Sequence, residues 1–297
     1  MSAWVLLSIS AAAFQTLRFV LQKHLSMGTL SVGGATFARF AYSMPFVLVL
    51  AAAYLWFMGA ALPRLGALFW VYALAGGLAQ ILATWCMVAL FAARNFAVGI
   101  TFKKTETVQT VLIGLVVLGD RVSAAGMAAI LVGLVGVVIL SGGAGADRWR
   151  IFNRAAALGL VAGALFAVSA VGYRGATLEV ASGNALMRAL VTLAVVTTSQ
   201  ALGMAAWLRW REAGEIGRVI AARRTAVWMG LTGLAGSLCW FTAFTLQNAA
   251  YVFAVGQVEV IFSLIAARVF FGERITRREG AGVALVTASV LAVGLFR

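Results

Sequence analysis

Cysteine, histidine and acidic side chains are scarce in this 297-residue chain: two, one and nine respectively. Both cysteines, Cys86 and Cys239, fall inside apolar stretches, so no disulfide framework can be drawn. The single histidine, His24, sits at the end of the first apolar stretch and reads as an interfacial residue, not a proton relay. With no His or Cys cluster, neither a metal nor any other cofactor is expected. No nucleophile stands beside a plausible base and no carboxylates take HExxH-like spacing, which argues against an enzyme. A nucleotide-binding loop is also missing, so ATP would not be the energy source.

What the sequence has in quantity is apolar surface. Hydrophobic residues make up 63% of it and charged residues 11%, and the mean hydropathy is +1.00. A soluble domain could not hide so much, so the bilayer is the expected solvent. The net charge of +14 raises nucleic acid as a partner. The basic residues, however, lie mainly in short connections between apolar segments, and none of these is long enough to track a phosphate backbone. The first apolar stretch, Trp4 to Leu21, lacks a basic leader and a small-residue cleavage site and reads as a retained helix.

The apolar runs fall near 4–23, 33–57, 67–91, 97–118, 124–141, 155–175, 183–207, 226–247, 250–271 and 279–296. They are long and apolar on most faces, unlike the short alternating strands of a membrane barrel. The predicted fold is an all-α integral membrane protein of ten transmembrane helices. Thr276 with Glu279 forms a capping box for the last helix, and Ser123 can cap the fifth. Many of the 32 glycines fall inside helices, where they let backbones pack closely. Pro45 is predicted to kink the second helix. Lys23, Arg94, Arg148 to Arg154, Arg209 to Arg224 and Arg274 to Arg278 fall on one side of the membrane; Arg64, Arg121, Arg174 and Arg297 fall on the other. The richer side is cytoplasmic by the positive-inside rule, which puts both termini outside a bacterial-type inner (plasma) membrane.

The chain also repeats itself. Asn95 to Arg121 overlays Asn248 to Arg274 at a constant offset of 153, pairing Asn95 with Asn248, Glu106 with Glu259, and Gly119-Asp120-Arg121 with Gly272-Glu273-Arg274. Arg39 pairs with Arg188, Lys23 with Arg174 and Cys86 with Cys239 once small gaps are allowed. Residues 1–143 and 153–297 are therefore read as two five-helix repeats. Because five is odd, the second must enter the membrane inverted, the arrangement that lets two halves rock around a central site by alternating access.

Five plus five helices, the Gly-Asp-Arg and Gly-Glu-Arg turns, and a basic residue opening the second and seventh helices together resemble the drug/metabolite transporter superfamily, EamA type. The resemblance covers essentially the whole chain. It implies a transporter of small metabolites, and the aromatic-rich interior is similar to that of YddG-type amino-acid exporters.

Charges in the middle of a helix cost about 2.5–3.5 kcal/mol each on insertion scales, so each needs a partner, a wet cavity or a function. Lys103, Glu106, Thr107, Thr110 and Gly114 share one helical face and should line a cavity. Lys103 and Glu106 either neutralise each other at i,i+3 or meet a ligand. Lys104 points elsewhere on a continuous helix and would snorkel. The second repeat keeps Glu259 but has Gly256 and Gln257 in place of the two lysines, an asymmetry suited to a dipolar ligand. A lysine would meet its carboxylate, and Glu106 or Glu259 its ammonium group. The alternative for Glu259 is a structural pair with Arg18, Arg39 or Arg188.

Gln15, Arg18 and Gln22 form a polar stripe on the first helix, with repeat partners Phe166, Ser169 and Tyr173, and should line the cavity. Arg39 and Arg188 are expected to anchor helix ends at an interface. Trp85, Trp240, Phe241 and Phe244 can supply flat walls or cation-binding faces, and Tyr42 is a further candidate. The substrate-binding set is thus Gln15, Arg18, Tyr42, Trp85, Lys103, Glu106, Thr110, Trp240, Phe244, Gln257 and Glu259. The expected partners are a small-molecule substrate and membrane lipids, with protons as a candidate coupling ion and no nucleic acid or obligate protein partner. The cargo rivals to amino acids are lipophilic cationic drugs and anionic sugar phosphates or nucleotide sugars; a structural or lipid-scrambling protein is the rival of another class.

Overall fold

In a hydrocarbon environment a backbone must satisfy its own polar groups, and runs this apolar and this poor in proline do so as helices. The computed structural model describes residues 2–91, 102–141, 154–262, 265 and 277–295, and no strand occurs among them. In chain order the helices are α1 (Ala3–Gly28), α2 (Val32–Phe57), α3 (Ala67–Phe91), α4 (Glu106–Leu118), α5 (Ala124–Ser141), α6 (Arg154–Glu179), α7 (Ala185–Arg211), the short α8 (Glu215–Ala221), α9 (Arg223–Leu246), α10 (Ala249–Gly256) and α11 (Arg277–Leu295). Six of them are long and apolar enough to cross a membrane, and four shorter apolar helices accompany them.

The ends are set by local chemistry. Ser31 accepts from the Gly34 N–H to cap α2, Asn184 accepts from Leu186 and Met187 to cap α7, and Asn248 accepts from Ala250 to cap α10. Ser123 accepts from the Gly126 N–H, as expected for the fifth helix. Gly119 closes α4 at φ 68°, a left-handed position that suits glycine. Pro45 lies within α2, which runs unbroken from Val32 to Phe57. Thr276, half of the expected capping box, lies outside the described residues, as do Asn95 and Gly272-Glu273-Arg274.

Outward faces carry large apolar side chains, among them Val49, Trp56, Phe57, Val116 and Leu202. Such a surface is unstable in water and natural against lipid tails. With lipid on the outside, helix association has to come from close packing, hydrogen bonds and small residues. α1 packs along α9, α3 along α6, α2 against α7 and α5 against α11. At the crossing of α3 and α6, a Cβ added to Gly172 would lie 3.0 Å from the Gly76 Cα. The Ser43 hydroxyl can donate to the Arg39 carbonyl, at 2.7 Å, and to that of Gly230, at 2.8 Å, the second joining α2 to α9.

Polar ties close the bundle at both ends of α7, a helix of 27 residues and thus about 40 Å long. Near its start, Arg174 of α6 forms a fork on Asp120 after α4, with Nε 2.7 Å from Oδ2, and donates to the carbonyls of Phe244 and Gln247. At the far end, Glu212 accepts from the Ser31 hydroxyl and Glu215 accepts from the Ser31 N–H, so two carboxylates cover the start of α2. Gly33 and Gly34 leave room for them, since a Cβ at either would strike a carboxylate oxygen.

A Cβ on Gly230 would sit 2.6–2.8 Å from Tyr42, including its backbone carbonyl, which cannot swing aside. Gly230→Ala is expected to cost about 1–3 kcal/mol through overpacking, while Gly203→Ala, with nothing within 4 Å, should leave stability unchanged. Thermal unfolding of the two purified variants in detergent measures the difference.

Candidate functional site at the broken helices

The fourth and ninth apolar runs are predicted as continuous helices, and the structure breaks both. The chain turns at Lys104–Thr105 and again at Gln257–Val258, and helix resumes at Glu106 and at Glu259. Tightened i→i+3 bonds mark each break: Thr105 N–H donates to Phe102 at 3.1 Å, and Val258 N–H donates to Val255 at 3.2 Å. The two breaks occupy equivalent positions at the repeat offset of 153 residues. Each leaves a glutamate on the opening turn of a new helical segment, where free backbone donors favour a negative charge.

The first break corrects the expectation for Lys104. Its 100° step from Lys103 assumed an unbroken helix, and the turn redirects the side chain inward. Lys104 is buried, and its Nζ donates to Glu259 Oε2 at 2.5 Å. Glu259 also accepts from Gln15 Nε2 at 3.1 Å, so α1 and the two broken segments meet on one carboxylate. The alternative of an ion pair between Glu259 and Arg18, Arg39 or Arg188 gives way to this pairing with Lys104. Lys103 pairs with Glu106 at 2.7 Å and lies 5.0 Å from the centre of the Phe166 ring. Both pairs are withdrawn from solvent, where a charge without its partner would be strongly destabilising.

Beside these pairs lies a cavity of about 30 Å³, room for about two water molecules. Gln15, Arg39, Phe166, Tyr173, Trp240 and Phe253 are among its walls. Trp240 stacks on Phe244 with centroids 5.7 Å apart, and Phe253 meets both edge-on. The indole N–H of Trp240 donates to Gln15 Oε1 at 3.3 Å, which ties the aromatic wall to the Gln15–Glu259–Lys104 chain. A Cβ on Gly256 would collide with the Trp240 ring, so this stack depends on a bare backbone one residue before the second break. Opposite, Tyr173 stacks on Phe241 at 4.3 Å and donates to Gln80 Oε1 at 2.9 Å, while Gln200 donates to Gln80, to Tyr173 and to the Gly77 carbonyl.

Of the residues singled out in the sequence, Gln15, Trp240 and Phe244 line this cavity, while Glu259 is joined to it through Gln15 and the Lys103–Glu106 pair through Phe166. Gln257 donates to Thr107 at 3.0 Å, bridging the two broken segments, and Thr110 turns its hydroxyl onto the Glu106 carbonyl. Arg18 is buried on α1 and donates to Gln22 at 2.7 Å. Two residues lie elsewhere. Tyr42 donates to the Val219 carbonyl, where α2 meets α8, and Trp85 packs edge-on against Trp207 at 4.9 Å. Arg39 is corrected from an interfacial anchor to a buried cavity residue that donates to Thr84 at 3.0 Å. It stands seven residues into α2, because the helix starts at Val32 and not near the arginine. Gln80, Gln200 and Phe253 were not found from sequence. Gln80 and Gln200 are isolated amides in long apolar runs, a signal of the same kind that marked Gln15 and was open to use.

The model of the EamA-like transporter family matches residues 153–295. No curated protein matches the sequence. A crystal structure of a protein 17% identical to this one superposes with a TM-score of 0.70, covering 100% of this chain and 99% of that chain. At that identity the likeness shows the fold. Residues 153–295 thus carry the pattern of the EamA-like transporter family, in the drug/metabolite transporter superfamily, and the chain's apolar helices are those of a multi-pass membrane protein.

Proposed function

We propose that this chain is a secondary exporter of small metabolites, amino acids foremost, working by alternating access between two inverted five-helix halves in a bacterial-type inner membrane. The observation that carries the reading is the pair of equivalent helix breaks at Lys104–Thr105 and Gln257–Val258, with charged side chains from both halves meeting between them. Discontinuous helices in corresponding positions of two repeats are the pattern that marks a central transport site. The helix packing supports the duplication as well. Exchanging the halves turns the α1–α9 contact into the α6–α3 contact, and leaves α2–α7 and α5–α11 as themselves.

Amino acids suit the site because it offers both signs of charge next to aromatic walls. A lipophilic cation fits less well, since Glu106 and Glu259 are already paired with lysines. The cavity of about 30 Å³ is smaller than an amino acid, so a side chain must move to admit one. The Lys104–Glu259 pair is the natural joint: a zwitterion entering between them would give its ammonium to Glu259 and its carboxylate to a cation.

Counterflow in liposomes tests the cargo. Labelled phenylalanine, tryptophan, methionine, threonine and lysine are the panel, with a sugar phosphate and a lipophilic cation as controls. Exchange of several amino acids is expected; exchange of a control alone sinks the assignment.

The ion pair gives a second prediction. Glu259→Gln strands Lys104 and should destabilise the protein by about 3–5 kcal/mol while transport falls at least tenfold. Lys104→Met combined with Glu259→Gln should recover most of the thermal stability but not the transport. Recovery of both would reduce the pair to a structural tie.

A further inference from the structure

We propose that Arg18 and Arg39 form a two-guanidinium subsite that takes the carboxylate of the transported solute, a role the paired lysines cannot fill while they are engaged. This deepens the transport reading and rests on the cavity being the transport site.

Three observations converge. The first is charge balance: Arg18, Arg39, Lys103 and Lys104 are all buried around the cavity, against the carboxylates Glu106 and Glu259. Both carboxylates have a lysine partner, and among the described residues no ion pair involves either arginine. Among these six buried groups the positive charges therefore exceed the negative by two, a costly arrangement in a low-dielectric interior that a bound anion would relieve.

The second is geometry. The two stems converge on α9, since a Cβ on Gly233 would lie 3.4 Å from Arg18 Cδ and 3.7 Å from Arg39 Cγ. Arg39 itself forms part of the cavity wall. Like charges held this close repel, and the fold holds them together on adjacent helices of the first half and one glycine of the second.

The third is unused hydrogen-bonding capacity. Each guanidinium has five donors in a planar fork. Arg18 uses Nη1 on Gln22, and its Nη2 is buried without an acceptor. Arg39 uses Nη1 on Thr84. Residual rings lie nearby, Phe19 at 4.2 Å from the Arg18 guanidinium and Phe40 at 5.1 Å from that of Arg39, but ring faces do not cancel a charge. A carboxylate accepts from such forks in bidentate fashion. Gln15 shares the cavity wall with Arg39 and donates to Glu259, so a solute with both groups could reach the arginines with its carboxylate and the glutamate with its ammonium group.

The test compares probes that differ only in charge: 3-phenylpropanoate, phenethylamine, phenylalanine and phenylalaninamide, with acetate and succinate as small carboxylates. Binding to the purified wild-type protein is read by thermal shift, and inhibition of counterflow is read in liposomes. At least one carboxylate probe should bind tenfold or more tightly than its carboxylate-free counterpart. Arg39→Gln and Arg18→Gln should each lose at least tenfold for that probe while phenethylamine is unchanged, and Arg39→Lys should keep part of the binding. Equal binding of a carboxylate and its carboxylate-free counterpart to wild type, no binding of any carboxylate, or full binding by Arg39→Gln overturns the proposal. The wild-type comparison decides even where a variant does not fold. Failure of the amino-acid reading is separate: phenylalanine would not exchange, yet a carboxylate probe would still bind in an arginine-dependent manner.

Discussion

A charge buried in an apolar medium has to be answered by another, and the Lys104–Glu259 pair is the answer around which this interior is arranged. It joins a residue of the first half to one of the second at 2.5 Å, and Gln15 brings α1 to the same carboxylate. Both partners reach each other because Lys104 lies in the first break and Glu259 directly follows the second. An unbroken fourth helix would carry Lys104 away from the interior, and an unbroken ninth would deny Glu259 its place at the start of a new turn. The exposed backbone groups at such breaks are tolerable inside protein but not against lipid. The ion pair, the two breaks and their burial thus impose one another.

The aromatic wall is linked to the same chain of polar groups. Trp240 donates to Gln15 and stacks on Phe244, and its position needs the bare Gly256 just ahead of the second break. Movement of the ion pair would therefore reach the wall through Gln15. At both ends of the bundle the halves are tied, by Arg174 on Asp120 at one end and by Glu212 and Glu215 over Ser31 at the other. Among the described residues, the cavity between these ties is about 30 Å³.

Lipid on the outside reverses the usual logic of stability. Apolar burial distinguishes little between a packed helix and a free one in a bilayer, so glycine contacts and buried hydrogen bonds take a larger share. Gly230 against Tyr42 and Gly172 against Gly76 are places where backbones come together because no side chain intervenes. The same physics makes buried arginines conspicuous. Arg18 and Arg39 are held near one another with no ion pair to either among the described residues, and their desolvation is offset only partly by Gln22 and Thr84.

Composition and periodicity made the helical membrane class and the buried polar positions Gln15, Lys103, Glu106 and Glu259 legible, because burial in lipid constrains every residue of a span locally and independently of its neighbours in space. The Ser123 cap was legible for the same reason, being a bond to its own chain three residues on. What the sequence could not determine was direction. Lys104 and Arg39 were placed outward and at an interface; a two-residue turn redirects Lys104 inward, and Arg39, seven residues beyond the start of α2, is buried against its neighbours. The partners Lys104–Glu259 lie 155 positions apart in the chain, and such pairing is decided through space, by which helices pack and where they break. Tertiary structure alone therefore decided which charges are matched and which two remain without a counterion among the described residues.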